Sequence, residues 1–589
     1  MKPLWKWIVG IVVTLILVIL GALWYLGNHW RPIFNEKLHE MALQASDSLY
    51  RVEYDDFDFN LVTGNAHIDN FRLIPDTAVY RQLKQKQKAP DNLYEVKIGK
   101  LVVDNFHPKR IYTERKLNID EIRIENPEIK VINETQPYND TLKTRDRRTL
   151  YQRISGVLKE LTVHHIAFEN VGVTYSNRSG PKEKTTRLRN VNINISDLKV
   201  DSLSEVDSMR FYHARAIDVN MDNYRIATGD SLYYIDVKGM HFTSVDRTIV
   251  LDGLKLMPRY NKVDFYKQTK MARDRFDLLF DTISIARIDL FKLFKQQKLF
   301  AKQVKIGRTK LDIFNNKTYP KGKKEPKIGQ FPHQQLQRLA LPLKIDTLLL
   351  DKADITYGEL NGKSRQIGKI SFNDSHIVFY NITNDSATLK SNRYLTADIH
   401  TKFMNQGKFN VHFEFDLLDE LGAFSYQGAL GYMDARSLNA IVKPLAMVEI
   451  SSGNLRRLSF NIRANEQAAK GNVQFYYNKL NVNIIVEEKD GKKAKSGMFS
   501  VLTNKFLLND SNPDANEVYH PGMISYRRPP DASFFNFIWK SLFEGVKASV
   551  GIDKEREAKL RSTAQNADKA AGKVKRFFNN LFKKKDKEQ

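Results

Sequence analysis

The stretch LKIDTLLLDKADITY, residues 343–357, decides the fold. Its apolar side chains fall into pairs two residues apart: Leu343 and Ile345, Leu348 and Leu350, Ile355 and Tyr357. Alternation with a period of two places side chains on one face of a β-strand. The polar interruption DKAD has the residue types of a turn, so the pattern predicts strand, turn and strand.

The same spacing recurs without gaps in other parts of the chain. Further copies begin at Leu117 in LNIDEIRIENPEIKV, at Leu161 in LTVHHIAFENVGVTY and at Leu299 in LFAKQVKIGRTKLDI, and a fifth surrounds GKISFNDSHIVFY. Chance similarity between alternating strands is the alternative, and five copies favour a repeat. Each repeated hairpin would then bury its apolar face by stacking on the next one.

Short segments with helical spacing and polar segments interrupt this pattern of strands. Short helices are predicted at 77–88, 147–160 and 333–340. Surface loops rich in polar residues, Pro and Lys are predicted at 133–149, 176–187 and 315–334, and a solvated hairpin tip at 487–497.

The amino-terminal run IVGIVVTLILVILGALWYL, residues 8–26, predicts a membrane anchor. No charge lies between Lys6 and Arg31, and at about 1.5 Å per residue the run covers a hydrocarbon core of roughly 30 Å. A cleaved secretory signal is the alternative, but the bulky Trp24 and Tyr25 stand where a cleavage site has small residues. The basic residues before the run predict a cytoplasmic N-terminus with the body outside.

Composition limits the chemistry. The chain has 589 residues, no cysteine and a formal charge of +25. The lack of cysteine excludes disulfides, thiolate metal sites and cysteine nucleophiles. Lys and Arg are spread along the whole chain without a nucleic-acid-binding signature, so we expect no nucleic-acid partner. An anionic membrane surface fits this charge better.

The carboxyl-terminal end changes to helical periodicity. Residues 531–552, DASFFNFIWKSLFEGVKASVGI, have a broad apolar stripe, and residues 573–589, KVKRFFNNLFKKKDKEQ, are basic and amphipathic. Such helices bind membrane interfaces. The predicted membrane-contacting residues are Phe535, Trp539, Phe543, Phe577, Phe578, Phe582, Lys583, Lys584 and Lys585. The alternative for the first helix is a cap over the β core, and for the second an anionic partner.

Signatures of enzymes are missing from the sequence. It has no zinc-protease, nucleophile-elbow, phosphate-loop, dinucleotide or EF-hand motif. The adjacent His164 and His165 would point to opposite faces of a strand. The acidic run Glu53, Asp55, Asp56 and Asp58 alternates with apolar residues and fits the solvent side of a strand better than a cation site. We predict no catalytic residue, no metal and no cofactor.

The region ISSGNLRRLSFNIRANEQAAKGNVQFYYNKLNV, residues 450–482, resembles a known family. An SG pair precedes an amphipathic strand, and Gly471, Val473, Phe475 and Tyr477 follow as G-x-V-x-F-x-Y. With the single anchor and the repeated strands, this resembles the AsmA-like proteins of Gram-negative envelopes. The resemblance implies a twisted β-sheet curled into a groove with an apolar concave face, which handles lipid between the inner and outer membranes. It carries over no catalytic residues.

Together these observations predict a mainly β protein: an extended, twisted antiparallel sheet of repeated hairpins curled into a groove, with one N-terminal transmembrane helix and C-terminal amphipathic helices. The predicted parts are a transmembrane signal anchor at 1–30, a repeating β part at 31–340, an AsmA C-terminal-like β region at 341–510 and a basic helical tail at 531–589. The candidate lipid-groove residues are Ile122, Ile124, Ile166, Phe168, Leu348, Leu350, Ile370 and Phe372.

The expected function is lipid transport by an inner-membrane protein with a periplasmic body, which maintains the outer membrane. Its expected partners are membrane lipids, and outer-membrane or envelope proteins are further candidates. The alternative is an envelope scaffold or outer-membrane assembly factor that binds polypeptide by β-augmentation.

Overall fold

The computed structural model describes residues 46, 48–60, 62–140, 149–156, 158–180, 183–204, 207, 209–322, 325–446, 448–487, 499–502 and 509–552. Within this part the fold is mainly β, as predicted, and 24 strands belong to one mostly antiparallel sheet. The predicted anchor at 1–30, the hairpin tip after residue 487 and the second tail helix lie outside the described residues. Among the helices that are described, none has the length and apolar character needed to cross a membrane.

The strands alternate with short helices. The first strands are β1 Tyr50–Glu53, β2 Asp56–Asn60, β3 Asn65–Pro75, β4 Asn92–Asp104, β5 Lys116–Glu125, β6 Glu128–Asn133, β7 Glu160–Asn177, β8 Lys184–Val200, β9 Ala216–Ala227, β10 Tyr233–Thr243, β11 Thr248–Pro258 and β12 Asp274–Ile288. The remaining strands are β13 Leu299–Ile306, β14 Thr309–Asn316, β15 Leu343–Leu360, β16 Ile367–Thr383, β17 Tyr394–Phe403, β18 Gly407–Asp416, β19 Phe424–Leu430, β20 Met433–Asp434, β21 Val448–Ala464, β22 Ala468–Glu487, β23 Phe499–Leu502 and β24 Gly522–Arg527. The α-helices are α1 Thr77–Gln85, α2 Pro108–Glu114, α3 Leu150–Ile154, α4 Lys262–Thr269, α5 Leu290–Gln296, α6 Pro332–Gln337, α7 Ser386–Ser391, α8 Asn439–Ala446 and α9 Phe534–Ser549.

The chain forms two compact units. The first comprises residues 1–224 and 237–251, and the second comprises residues 225–236 and 252–589. Strands β1–β8 therefore belong to the first unit and β12–β24 to the second.

The predicted short helices are present but shorter. Among the described residues of the segment expected to be helical at 147–160, the five of α3 form the helix, and β7 already begins at Glu160. In the same way α1 ends at Gln85 and α6 at Gln337. The predicted loop at 176–187 is also shorter, since β7 extends to Asn177 and β8 begins at Lys184.

The hairpin interpretation of the repeated sequence is wrong. Strands β5 and β6 do not pair with each other: both pair antiparallel with β4 and parallel with β7. They follow each other along the same position in the sheet and are separated by a kink at Asn126, whose φ is 51°. The copy at Leu299 is divided in the same way into β13 and β14, which both pair with β12 and β15. In two further copies β7 and β15 run unbroken for 18 residues each, with a left-handed residue at Asn170 and Lys352. The expected turns are therefore kinks within long strands.

The sequence repeat is also the register of parallel pairing. Leu117 lies opposite Leu161 and Ile122 opposite Ile166. In the second unit Leu299 lies opposite Leu343 in the same way. Parallel strands need a long crossover connection, and α3 or α6 lies in each of these connections. The equivalent apolar positions of two copies therefore lie side by side on one sheet face.

These two parallel pairs belong to a larger internal duplication. The succession β4, α2, β5, β6, α3, β7, β8 recurs as β12, α5, β13, β14, α6, β15, β16, with the same pairings. The second set follows the first by 182 residues, since Pro108 at the start of α2 corresponds to Leu290 at the start of α5. Each unit thus contains one copy of the same β-rich assembly.

Candidate functional site

The second unit has a continuous apolar sheet face, which we call the apolar face. It is built from two cross-strand rows in which each residue lies directly opposite the next. The first row is Ile283, Ile306, Leu350, Ile377, Ile399 and Val411. The second row is Ile285, Val304, Leu348, Phe379, Ala397 and Phe413. Each row crosses six strands, about 24 Å at the usual strand spacing.

This apolar face is only partly covered. Leu350, Ala353 and Ile377 form a small buried cluster, and the neighbours that pack on them are half-buried: Ile306, Ile355, Phe379 and Ile399. Half-buried aliphatic and aromatic side chains in contiguous rows form an apolar surface that water still contacts. Such a surface favours an apolar ligand.

The opposite face of the same strands is mostly polar, although Leu349 and Val378 also lie on it. His376 Nδ1 lies 2.8 Å from Asp351 Oδ1, and His412 Nδ1 lies 2.7 Å from Asp398 Oδ1. Lys402 Nζ makes a third cross-strand ion pair with Asp374 at 3.1 Å. Side chains that alternate between the two faces therefore make a one-sided sheet, as the period-two sequence pattern requires.

The predicted groove residues divide between the two units. In the first unit Ile122, Ile124, Ile166 and Phe168 are at most 4% exposed, so they are core residues with little surface of their own. In the second unit Leu348, Ile370 and Phe372 are half-buried and Leu350 is 9% exposed. Contact of any of these residues with lipid stays a prediction.

The duplication sharpens this contrast. Ile166 is 3% exposed, whereas Leu348, its equivalent 182 residues later, is half-buried. This position is thus buried in the first copy and half-buried in the second, whereas the equivalent positions Phe168 and Leu350, at 4% and 9% exposed, are buried in both copies.

Several residues of this surface were not predicted as site residues. Phe403 lies opposite Phe372, with ring centroids 5.5 Å apart, and Phe409 lies 6.4 Å from Phe372. The alternation of β17 and β18 contains the signal, because Ile399 and Val411 continue the period of the predicted strands.

Helix α9 covers the neighbouring strands with one of its faces. Phe537 and Ser541 are fully buried against β22 and β24, and the Tyr426 hydroxyl lies 2.7 Å from Ser541 Oγ. The ring of Phe537 stacks on Phe331 with centroids 6.1 Å apart. This face of α9 is a cap over the β core, the alternative that the sequence left open.

The other face of α9 is aromatic and exposed. Phe535 is 77% exposed, Trp539 44% and Phe543 45%. They are spaced four residues apart and so form one stripe, in which the Trp539 and Phe543 rings stack at 6.2 Å. These are three of the predicted membrane-contacting residues. The other six, at 577, 578 and 582–585, lie outside the described residues.

The acidic run of β1 and β2 lies at the solvent side. Asp55 pairs with Arg72 at 3.0 Å. The ligand atoms of Asp56, His67 and Asp69 lie within 4.8 Å of one another, and Asp56 is exposed. Exposed acidic groups often lie this close together without a metal ion, and we assign no ion to this group.

No protein-family model matches the chain, and no curated protein matches it closely enough to count as related.

Proposed function

We propose that the protein binds lipid through the apolar face of its second unit and transports it between membranes. The observation that carries this proposal is the pair of apolar rows across six strands, in which seven of the twelve residues are half-buried and five are buried. Each CH₂ group of an acyl chain that such a surface shelters from water stabilises the complex by about 0.8 kcal/mol. Headgroups stay in solvent, so the site selects acyl chains rather than headgroups.

Further support comes from the sequence. The apolar run 8–26 has the length of a membrane span, and residues 450–482 resemble AsmA-like proteins of Gram-negative envelopes. We therefore propose an inner-membrane protein with a periplasmic body that carries phospholipid for outer-membrane maintenance. In this proposal the stripe Phe535, Trp539 and Phe543 contacts a membrane, together with the basic segment 573–589.

The test is lipid extraction from the gently purified full-length chain, followed by mass spectrometry. We expect phospholipid in the wild type, and loss of most of it in the variant Leu348→Asp/Phe379→Asp, because two charges would stand in the apolar rows. The matched control is Leu349→Asp/Val378→Asp, whose positions pair with each other on the opposite face of the same two strands. Lipid should remain bound to this control.

A wild-type chain without lipid, or equal loss in both variants, would contradict lipid binding at this face. A co-purifying polypeptide in place of lipid would favour the scaffold alternative.

A further inference from the structure

One end of the second unit's sheet has a concentration of exposed apolar side chains. At this end β13, β15 and β17 begin and β16 and β18 finish, so the intervening loops lie along one edge. Eight large apolar residues in the loops, short helices and strand starts at this end are 42–77% exposed, and we call them the apolar rim. They are Phe291, Ile328, Leu339, Leu341, Tyr394, Leu418, Leu421 and Phe535. Nine strand ends, from β13 to β24, give the rim a length of about 40 Å.

The loop before β15 holds its leucines in place through Asn384. Asn384 Nδ2 donates to the carbonyl oxygens of Leu339 at 3.2 Å and Leu341 at 3.1 Å, and its Oδ1 accepts from Leu343 N at 2.6 Å. These bonds connect the loops before β15 and after β16. Leu339 and Leu341 are therefore held in exposed positions on a braced loop.

The turn after β18 is braced from both sides. Arg393 donates two hydrogen bonds to Asp416 at 2.8 and 2.6 Å, and the same carboxylate accepts from Leu418 N at 3.0 Å. On the other side, Glu466 N donates to the carbonyl of Leu421 at 2.9 Å. Leu418 and Leu421 thus stand on a fixed turn, and no folding is needed before they make contact.

Cations accompany the apolar rim. In α5, Leu290 is buried and Phe291 is 60% exposed, with Lys292 beside it. The segments 289–298, 326–342 and 384–393 contain seven Lys or Arg against two Asp. The turn at 416–423 adds three acidic residues, of which Asp416 is paired with Arg393. The positive charge of the rim therefore lies between β13 and β17, whereas the loops beyond β18, which also contain Glu466, Arg528 and Asp531, are acidic.

We infer that the apolar rim docks on an anionic lipid bilayer, where lipid enters or leaves the apolar face. The inference rests on the proposed function. The exposed apolar side chains of the rim are spread over about 40 Å, with Lys and Arg between them. A bilayer interface accepts apolar side chains at any lateral position and attracts basic ones, so it matches this arrangement. A protein partner would instead call for clustered anchor residues in the centre of a patch.

The test uses the full-length chain in nanodiscs, mixed with sucrose-loaded vesicles that contain about 30 mol% phosphatidylglycerol. All variants carry Lys583→Glu, Lys584→Glu and Lys585→Glu, so that the basic tail does not contribute. We expect the parent to sediment with the vesicles, and Phe291→Asp/Leu339→Asp/Leu418→Asp to reduce this binding by about tenfold or more. The control Ile367→Asp/Tyr432→Asp/Met523→Asp changes equally exposed residues at the other strand ends and should bind like the parent.

Circular dichroism must show that the rim variant is folded. Equal vesicle binding by the rim variant and the parent, or none by the parent, would overturn the inference. So would a rim-dependent dimer in sedimentation velocity, since the occupant would then be a second copy. Docking without lipid in the purified chain would contradict the proposed function alone, and lipid without docking would contradict this inference alone.

Discussion

At the scale of single residues, the second unit depends on a buried ion pair. The Arg528 side chain is fully buried and that of Glu466 is 7% exposed, with 3.9 Å between Nη1 and Oε1. Arg528 Nη2 also donates to the carbonyl oxygens of Lys327 and Ala532, both at 2.8 Å, and its guanidinium lies 4.4 Å from the Phe331 ring centroid. One cation thus holds together the loop before α6 and the loop before α9.

Removing this cation should destabilise the second unit strongly. Arg528→Met removes the cation beside the buried Glu466 carboxylate, which among the described residues keeps only its hydrogen bond from Gly329 N, and we expect the free energy of unfolding to fall by about 3–5 kcal/mol. Urea unfolding followed by circular dichroism measures the loss. The control Arg436→Met breaks an exposed ion pair with Asp434 and should cost less than about 1 kcal/mol. Similar losses in both variants would refute the structural role of Arg528.

His333 should make stability depend on pH. Burial among Phe331, Phe415 and Phe424 lowers the pKa of His333, while the Gly422 backbone and the carboxylates around it oppose this more weakly. These carboxylates are Glu466, Asp416 and Asp419. Because the lowered pKa belongs to the folded state, the unfolded chain binds the proton more readily. The neutral, buried His333 therefore costs no stability above about pH 6.5. The free energy of unfolding declines as the pH falls below this value.

Melting temperatures between pH 7.5 and 5.5 test this expectation. His333→Leu should flatten the decline towards low pH, since the unfolded chain then has no imidazole at this position to take up a proton. His400→Gln, at an exposed imidazole 2.8 Å from Asn410, should keep the wild-type slope. A slope unchanged by His333→Leu would show that other groups cause the decline.

At the scale of elements, the sequence predicted strand positions well and their connections poorly. The apolar spacing located β5, β7, β13 and β15. The segments ENPE and DKAD, however, are compatible both with a hairpin turn and with a kink inside a continuing strand. Asn tolerates left-handed backbone in a hairpin turn and in a bulge alike. The difference depends on pairing partners far along the chain, as when Ile122 meets Ile166, and local sequence contains no information about them.

Helix α9 should show two separable effects on its two faces. Phe537→Ala opens a cavity against Phe331 and Tyr526, and we expect a loss of about 3–5 kcal/mol in stability. Trp539→Ala removes a side chain that is 44% exposed and should change stability much less, by about 0.5 kcal/mol. Thermal unfolding of the two variants compares the faces. An equal loss would mean that the aromatic stripe is packed in the folded protein.

At the scale of the whole molecule, the duplication explains what the sequence did and did not reveal about the site. The repeated apolar positions located the residues that lie side by side in neighbouring strands of both units. They did not distinguish a buried position from a half-buried one, because Ile166 and Leu348 are both ordinary apolar strand residues. Their exposure depends on what packs over each face, which alternation does not encode.

The two copies therefore allow a matched experiment, with the same charge at equivalent positions. Ile166→Asp places a carboxylate at a site that is 3% exposed, and we expect a loss of several kcal/mol, about 4 or more, or failure to fold. Leu348→Asp places it at a half-buried position in the accessible row, where water can still reach the charge. We expect a smaller destabilisation, about 1–2 kcal/mol, together with less bound phospholipid. Unfolding in urea and lipid extraction are measured on both chains. Equal destabilisation would mean that the second copy is as closed as the first, and unchanged lipid in Leu348→Asp would place any lipid elsewhere on the protein.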